Sequence, residues 1–326
     1  MFVAKDSNEV LIHASHGIKS HSYFCPYCHH KVKLKQGSQK AWHFAHESLK
    51  LCNPIETIAH QDSKLILGDM CHKANLSYQI EPYLKPINRY PDLLIESHTV
   101  LEVQYSKVPI STIQERTRDY HKLGLNVIWL IKLCNKKGPI INLSTFESAF
   151  INPKSLKLYA FSLESREIIA YEHLQHIGGR KFIGHRQAVP LKHILKSEET
   201  PHSDTYKLSS NEILNLIKTC RRKNDVREEN LSLMYQARLS DKAVVKHCGY
   251  IFPEQIYIRT HPVTWQLFVY KLHQEDRFDM YAFIKFLRFR DFYMKRPKKG
   301  EIASKLAQAY LNMLKQTLKR ANSLIK

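Results

Sequence analysis

No apolar run in these 326 residues approaches the ~18 needed to cross a bilayer. The start, Met1-Phe2-Val3-Ala4-Lys5-Asp6, does not have the form of a signal peptide. Seven cysteines, an odd number, follow no repeated framework, which argues against a disulfide-stapled secreted scaffold and leaves thiols that are reduced or metal-bound. The expected location is therefore cytoplasmic, with no membrane association. Acidic residues are the other shortage: 30 stand against 50 lysines and arginines, a formal charge of +20. Such an excess favours a polyanionic partner, nucleic acid ahead of an anionic membrane surface, over a basic protein with no such partner. Hydrophobic residues make up 43%, so the chain is globular, and its length allows two or three domains.

The most informative stretch is Arg89-Tyr90-Pro91-Asp92-Leu93-Leu94-Ile95, then Glu96-Ser97-His98-Thr99, then Val100-Leu101-Glu102-Val103-Gln104-Tyr105-Ser106. Two apolar-rich runs around a short polar connection predict a β-hairpin. Strand alternation puts Glu102 and Gln104 on one face and Leu101, Val103 and Tyr105 on the other. Any register with an even residue sum brings Asp92 to the Glu102 side. Two carboxylates and an amide then converge, which suits a hard divalent cation such as Mg²⁺ or Mn²⁺. Arg89 can bind a phosphate or pair with a neighbouring carboxylate, and Pro91 fits the entry to a strand.

Upstream, Cys25-Pro26-Tyr27-Cys28 precedes His43-Phe44-Ala45-His46. Two close cysteines form a knuckle, and two histidines three apart close a tetrahedron from a helical or turn segment, so Cys25, Cys28, His43 and His46 predict one structural Zn²⁺. The histidine spacing is tighter than in a base-reading finger, and His29 and His30 are substitute ligands. From Pro54 to about Met70 the pattern is helical, with Glu56, His60 and Lys64 recurring along one face. On spacing alone that face is a solvated stripe. A strand over 76–81 follows, with Glu81 either a further ligand or a strand-end carboxylate. After the hairpin, Ser111 is a plausible N-cap for a helix to about Leu123, with Gly124 its stop. Arg116 and Tyr120 share a face of that helix, to clamp a substrate backbone or to lock the helix onto the sheet. The run from Asn126 to Ile131 reads as a buried strand.

Pro-Asp, a spacer and Glu-x-Gln together resemble the PD-(D/E)xK nuclease superfamily, with Gln104 where lysine usually stands. The neighbouring Gln104-x-Ser106, Arg116-Thr117-x-x-Tyr120 and the strand ending near Trp129 and Leu130 look like the competence protein CoiA-like family. The likeness extends to the Cys-x-x-Cys and His-Phe-Ala-His element, the Glu56, His60, Lys64 helix, and His261-Pro262-Val263-Thr264-Trp265-Gln266-Leu267. It implies an active site with Asp92 and Glu102 as Mg²⁺ or Mn²⁺ ligands and Gln104 orienting water. It also implies active-site roles for Glu56, His60 and Lys64, with Lys64 or Arg89 offsetting transition-state charge. The implied activity is metal-dependent DNA cleavage during natural transformation or recombination, alongside recombinase and loader proteins. The rival readings are a non-cleaving binder of single-stranded or branched DNA, and a nuclease acting on RNA.

The expected fold is α/β: a zinc-binding lobe over 1–53, a PD-(D/E)xK-like core over 54–150, a β-rich extension and linker over 151–200, and a mainly helical basic domain over 201–326. In the extension, strands are expected over 156–161, 167–171 and 182–189, with Gly178-Gly179 as a turn. Ser209 and Glu212 form a capping box, and Leu306, Tyr310, Leu314, Leu318 and Ala321 form a core stripe on the last helix. Between them, Arg288, Arg290, Lys295, Arg296, Lys298 and Lys299 are interleaved with Phe283, Phe286, Phe289, Phe292 and Tyr293. Cations among aromatics suit a single strand, whose bases stack while its phosphates are neutralised. They equally suit a helix with aromatics in the core and cations in solvent.

Overall fold

Short strands build the N-terminal lobe: β1 (Val3–Lys5), β2 (Leu11–His13), β3 (Tyr23–Phe24), β4 (Lys31–Lys35) and β5 (His43–His46). The computed structural model describes residues 3–25, 29–37, 42–46, 58–132, 138, 140–196 and 205–323. The five strands pair antiparallel in the order β2-β1-β3-β4-β5. Alternation along β4 buries Val32 and exposes its lysines. Val32 packs with Tyr23, Cys25 and Phe44 in a small core. His43-Phe44-Ala45-His46 is thus a strand, where a helix or turn is expected from its histidine spacing.

The central unit contains α1 (Ile58–Lys73), β6 (Tyr78–Ile80), β7 (Leu93–Ile95), β8 (Thr99–Gln104), α2 (Ile110–Lys122), β9 (Asn126–Lys132) and β10 (Ile140–Asn142). It continues through α3 (Thr145–Ser148), β11 (Leu158–Ser162), β12 (Glu167–Gly178), β13 (Lys181–Val189) and α4 (Leu191–Leu195). One eight-stranded sheet runs β10-β13-β12-β11-β9-β8-β7-β6. The β8–β9 and β9–β11 pairs are parallel and the others antiparallel. Because β11 hydrogen-bonds to β9, the β-rich stretch lengthens the same sheet that carries the hairpin.

The β7–β8 turn sets the register. Glu96 and Ser97 take left-handed backbone, φ 49° and 56°, the turn geometry whose twist matches the flanking strands. Leu93 therefore lies opposite Leu101 and Ile95 opposite Thr99, an even sum that carries Asp92 to Glu102. Every residue of β8 is buried, since helices cover both faces. On one, Leu67 and Cys71 of α1 pack against Leu93, Leu101 and Val103. On the other, Ile113 and Tyr120 of α2 pack against Val100, Trp129 and Ile131.

Two boundaries differ from expectation. Pro109, not Ser111, is the N-cap of α2, with φ −55° and ψ 136°; the fixed proline φ and its missing N–H suit the residue where a helix begins. Gly124 does end that segment, with φ 72°. β12 runs on past Tyr171 to Gly178 because His173, at φ 53°, absorbs a bulge between Glu172 and Gln175. A bulge resets the period-two pattern, so the second half does not read as the same strand.

The remaining chain is largely helical: β14 (Tyr206–Lys207), α5 (Ser210–Arg222), α6 (Glu229–Gln236), α7 (Asp241–His247), β15 (Tyr250–Ile251), α8 (Pro262–Gln274), α9 (Met280–Phe286) and α10 (Lys299–Ser323). Ser209 and Glu212 cap α5 reciprocally. Leu306, Tyr310 and Leu314 are buried around Trp265 of α8; the side chains of Leu318 and Ala321 lie outside the described residues. The aromatic, basic stretch is helical only to Phe286. From Leu287 it is extended along residues 257–259, with Arg259 N–H donating to Arg288 O at 2.6 Å and Arg290 N–H to Tyr257 O at 2.8 Å. Phe292 and Tyr293 then enter the core beside α2, and Gln114 Nε2 donates to Phe292 O at 2.8 Å. Among the described residues no helix is long and apolar enough to cross a membrane.

Candidate active site

Strand pairing between β7 and β8 stops at Leu93, and the next donor on β8 finds a side chain. Val103 N–H donates to Asp92 Oδ2 at 2.7 Å. The same oxygen lies 3.1 Å from His60 Nε2 on α1. Glu102, fully buried, receives Tyr120 Oη at 2.5 Å on Oε1 and Arg116 Nη2 at 2.6 Å on Oε2. The Arg116 guanidinium lies 5.0 Å over the Trp129 ring, and Trp129 Nε1 donates to Thr117 Oγ1 at 3.1 Å. The Arg-Thr-x-x-Tyr helix and the tryptophan strand therefore form one clamp on Glu102. Arg116 and Tyr120 hold a carboxylate of the site, where a substrate contact is the other expectation.

The even register of the hairpin makes the two carboxylates neighbours, and the charge of Asp92 bears on Glu102. Burial and the adjacent Asp92 outweigh Arg116 and Tyr120 and push Glu102 up to about 7. Burial pushes Asp92 up as well, but the hydrogen bond and charge of His60, with the charges of Lys64 and Arg116, outweigh it and hold Asp92 below the usual carboxylate range. Two buried carboxylates this close need a proton or a cation between them. Mg²⁺ is commonly held by one or two carboxylates, with water and substrate phosphate completing its shell, so this pair fits that ion. Asp92 Oδ2 already accepts from two donors, whereas each Glu102 oxygen accepts from one and keeps a lone pair for a cation.

Lys64, fully buried on α1, is ion-paired with Glu81 at the end of β6. Glu81 is thus the anchor of a cation that acts on Asp92. Gln104 Nε2 donates to Ser106 O at 2.6 Å, which identifies Oε1 as the acceptor able to orient a water. Ser63 and Tyr105, not singled out as site residues from sequence, tie α1 to the end of β8 through a 2.8 Å hydroxyl contact. The edge of the His60 ring meets Tyr105. Tyr105 stands inside the Gln104-x-Ser106 string, the signal that marks this strand end. Glu56 lies outside the described residues.

The cations expected on nucleic acid divide. Arg89 is bound by Asp119, at 2.8 Å, and Glu115, at 2.7 Å, both on α2, so it locks the loop before Asp92. Arg290 is buried, donating to Ile256 O at 3.0 Å and Ser148 Oγ at 2.5 Å, and its guanidinium lies over Phe182. Burial lowers it to about 9. It is a structural cation, with no room for a phosphate. Arg296 donates to Arg290 O and Pro297 O, and Arg288 pairs with Glu229 at 3.1 Å. Lys295, Lys298 and Lys299 are exposed.

In the N-terminal lobe, Cys25 is buried. His29 N–H donates to Cys25 O at 2.9 Å and Cys25 N–H to His30 O at 2.8 Å, with His29 in left-handed backbone at φ 57°. Cys28 lies outside the described residues. His46 pairs with Val32 and His43 with Lys35, positions that regular strand alternation assigns to opposite faces. Among the described residues no three His, Cys, Asp or Glu side chains are grouped to hold a metal ion.

Residues 56–200 match the family model for the nuclease-like domain of competence protein CoiA, and residues 5–54 match that for its N-terminal domain. The competence protein CoiA of Bacillus subtilis (strain 168) is 30% identical over 167 residues, 48% of this chain and 45% of that protein. The chain thus aligns with less than half the length of that relative. No solved structure matches. With both domain models in sequence along the chain, and the matched nuclease-like region containing the Asp92–Glu102 hairpin, this protein belongs to the CoiA-like competence protein family.

Proposed function

We propose that this chain is a divalent-metal-dependent nuclease that hydrolyses phosphodiester bonds of DNA, acting on DNA handled during natural transformation. The observation that carries the reading is the buried Asp92–Glu102 pair that the even register brings together at the open end of the hairpin, each carboxylate fixed by its own donors. Asp92 and Glu102 hold Mg²⁺ or Mn²⁺. The ion supplies an acidified water and a polarised phosphoryl oxygen. His60 and Val103 N–H fix the Asp92 carboxylate, and Arg116 and Tyr120 fix Glu102. Gln104 Oε1 accepts a hydrogen bond from the attacking water. The strand lysine of the superfamily pattern is absent, and Lys64 of α1 takes over its charge, since its field already reaches Asp92. Both cations are ion-paired, Lys64 to Glu81 and Arg89 to Glu115 and Asp119, but of the two it is Lys64 whose charge acts on Asp92.

Gln104 itself favours a second reading, a non-cleaving binder of single-stranded or branched DNA, because a neutral amide offers neither a positive charge nor a base at neutral pH. Cleavage of labelled single-stranded, duplex and branched DNA with Mg²⁺ or Mn²⁺, against a chelator control, decides between them. Product formation that needs the divalent ion and vanishes in Asp92→Ala supports the nuclease; binding without cleavage of any substrate supports the binder. RNA substrates in the same assay test the RNA-directed alternative, and recombinase and loader proteins remain the proposed company of this activity.

A further inference from the structure

The ladder that positions Asp92 continues beyond it. Ile80 lies opposite Leu93, Glu81 N–H donates to Asp92 O at 3.1 Å, and an isolated bridge joins Leu84 to Arg89. These share one register, so Tyr83 lies opposite Tyr90. Their rings stack, 4.9 Å between centroids and 26° from parallel. Tyr90 is half-buried, whereas Tyr83 is 44% exposed.

The pair is held still from three directions. Tyr83 Oη donates to Asn88 Oδ1 at 3.3 Å. Leu84 N–H donates to Arg89 O at 2.9 Å. Arg89 is clamped by Asp119 and Glu115 of α2. A large aromatic ring that is both exposed and immobilised loses little conformational entropy when something packs on it. Its distance from the site is set by the chain: Tyr90 precedes Asp92 by two residues, on the order of 7 Å along an extended strand, a span of one or two nucleotides.

We propose that Tyr83, backed by Tyr90, is a stacking platform for an unpaired nucleobase one or two nucleotides from the scissile phosphate. The inference rests on the nuclease reading above and adds substrate class to it: a base inside a duplex is stacked on its neighbours and has no free face, so the platform selects single-stranded or frayed DNA. Stacking is indifferent to base identity, and no sequence preference follows from it.

The test is binding of the full chain, without divalent ion and at one salt concentration, to an oligothymidine strand and to an abasic strand of equal length. Both carry the same phosphates, so their affinity ratio reports the bases alone. Stacking of one base predicts that the parent prefers oligothymidine by about tenfold. Tyr83→Ala and Tyr83→Leu bring the ratio close to one, while Tyr83→Phe keeps it. A ratio unchanged in Tyr83→Ala, or a parent with no preference, overturns the platform. Cleavage by the parent and by Asp92→Ala, measured separately, keeps the two readings apart. Asp92-dependent cleavage with an unchanged ratio sinks the platform alone. Loss of the ratio in Tyr83→Ala without cleavage by the parent sinks the nuclease alone.

Discussion

Arg116 donates to Glu102 Oε2 at 2.6 Å while its guanidinium lies over the Trp129 ring. The cation is three-quarters buried and the carboxylate fully so. Breaking one side of such a pair leaves the other charge uncompensated, at a cost of about 3–5 kcal/mol. Arg116→Ala should lower stability to urea by roughly that amount at neutral pH. Glu102 already sits at about 7, above its unfolded value, so its protonated form suits the fold and stability is lost as pH rises through that value. Removing Arg116 raises Glu102 further. The penalty should therefore be greatest on the alkaline side and shrink as pH falls. Equal destabilisation of Arg116→Ala at every pH would remove Glu102 as its cause.

Asp92→Ala and Glu102→Ala should each lower divalent-dependent cleavage by about 10³, the rate equivalent of ~4 kcal/mol of barrier lowering by a metal-activated water. DNA affinity without metal should stay within a few-fold of the parent, because the exposed basic surface is untouched. Gln104→Ala should be milder, losing orientation and not charge. Cleavage that survives both carboxylate substitutions would place the active site elsewhere.

The hairpin was legible because it depends on parity. Period-two alternation and an even register sum put Asp92 beside Glu102 whatever the turn type, and Glu96-Ser97 supplied a turn that respects it. Arg290 was not legible for the opposite reason. Its partners are Ile256 O, Ile258 O and Ser148 Oγ, the last 142 residues away. A cation between phenylalanines reads the same whether it meets solvent, phosphate or buried carbonyls. Arg89 illustrates the middle case: both its alternatives were visible, but choosing between them needed α2 to bring Asp119 within reach. The second half of β12 was hidden by a single bulged residue.

His176 should make the fold acid-sensitive. Trp265 Nε1 donates to Gln255 Oε1 at 2.7 Å, which turns Gln255 Nε2 toward His176 Nδ1 at 3.2 Å. Nδ1 must then be an acceptor, and Nε2 donates to Gly179 O at 3.1 Å. Burial first, then the charge of Arg290, lowers His176 to about 3, and burial lowers His261 to about 4. Both are neutral in the fold and protonate more readily when unfolded. Stability is therefore complete above pH ~6.5 and lost as pH falls through the folded-state values. Urea midpoints measured from pH 7 to 5 should fall, and less steeply in His176→Gln. An identical slope in that variant would refute the assignment.

One zinc per chain is the expectation for Cys25, Cys28, His43 and His46, with a folding role. Cys25 is buried in the small core of the lobe, and the placement of His43 and His46 on a strand makes the histidine half the part most worth testing. Elemental analysis of purified protein should give about one zinc. Cys25→Ser should lose the metal and lower thermal stability. Folded, active protein that holds no zinc after chelation would remove the site.

The basic stretch near α10 should now act through three lysines instead of six cations. Lys295, Lys298 and Lys299 are exposed, whereas Arg288 and Arg296 have protein partners and Arg290 is buried. Each phosphate neutralised on a single strand contributes about 0.7 to the slope of log affinity against log salt. The combined change of Lys295, Lys298 and Lys299 to Gln should therefore flatten the slope by about two, with the melting temperature unchanged. Arg290→Gln should do the reverse, because it leaves Ile256 O and Ser148 Oγ without their donor. It should lower the melting temperature and leave the salt slope of the folded protein as it was. A slope that follows Arg290 and ignores the lysines would mean that the nucleic acid reaches a surface the fold has closed, and would return the whole stretch to an unexplained cluster of charge.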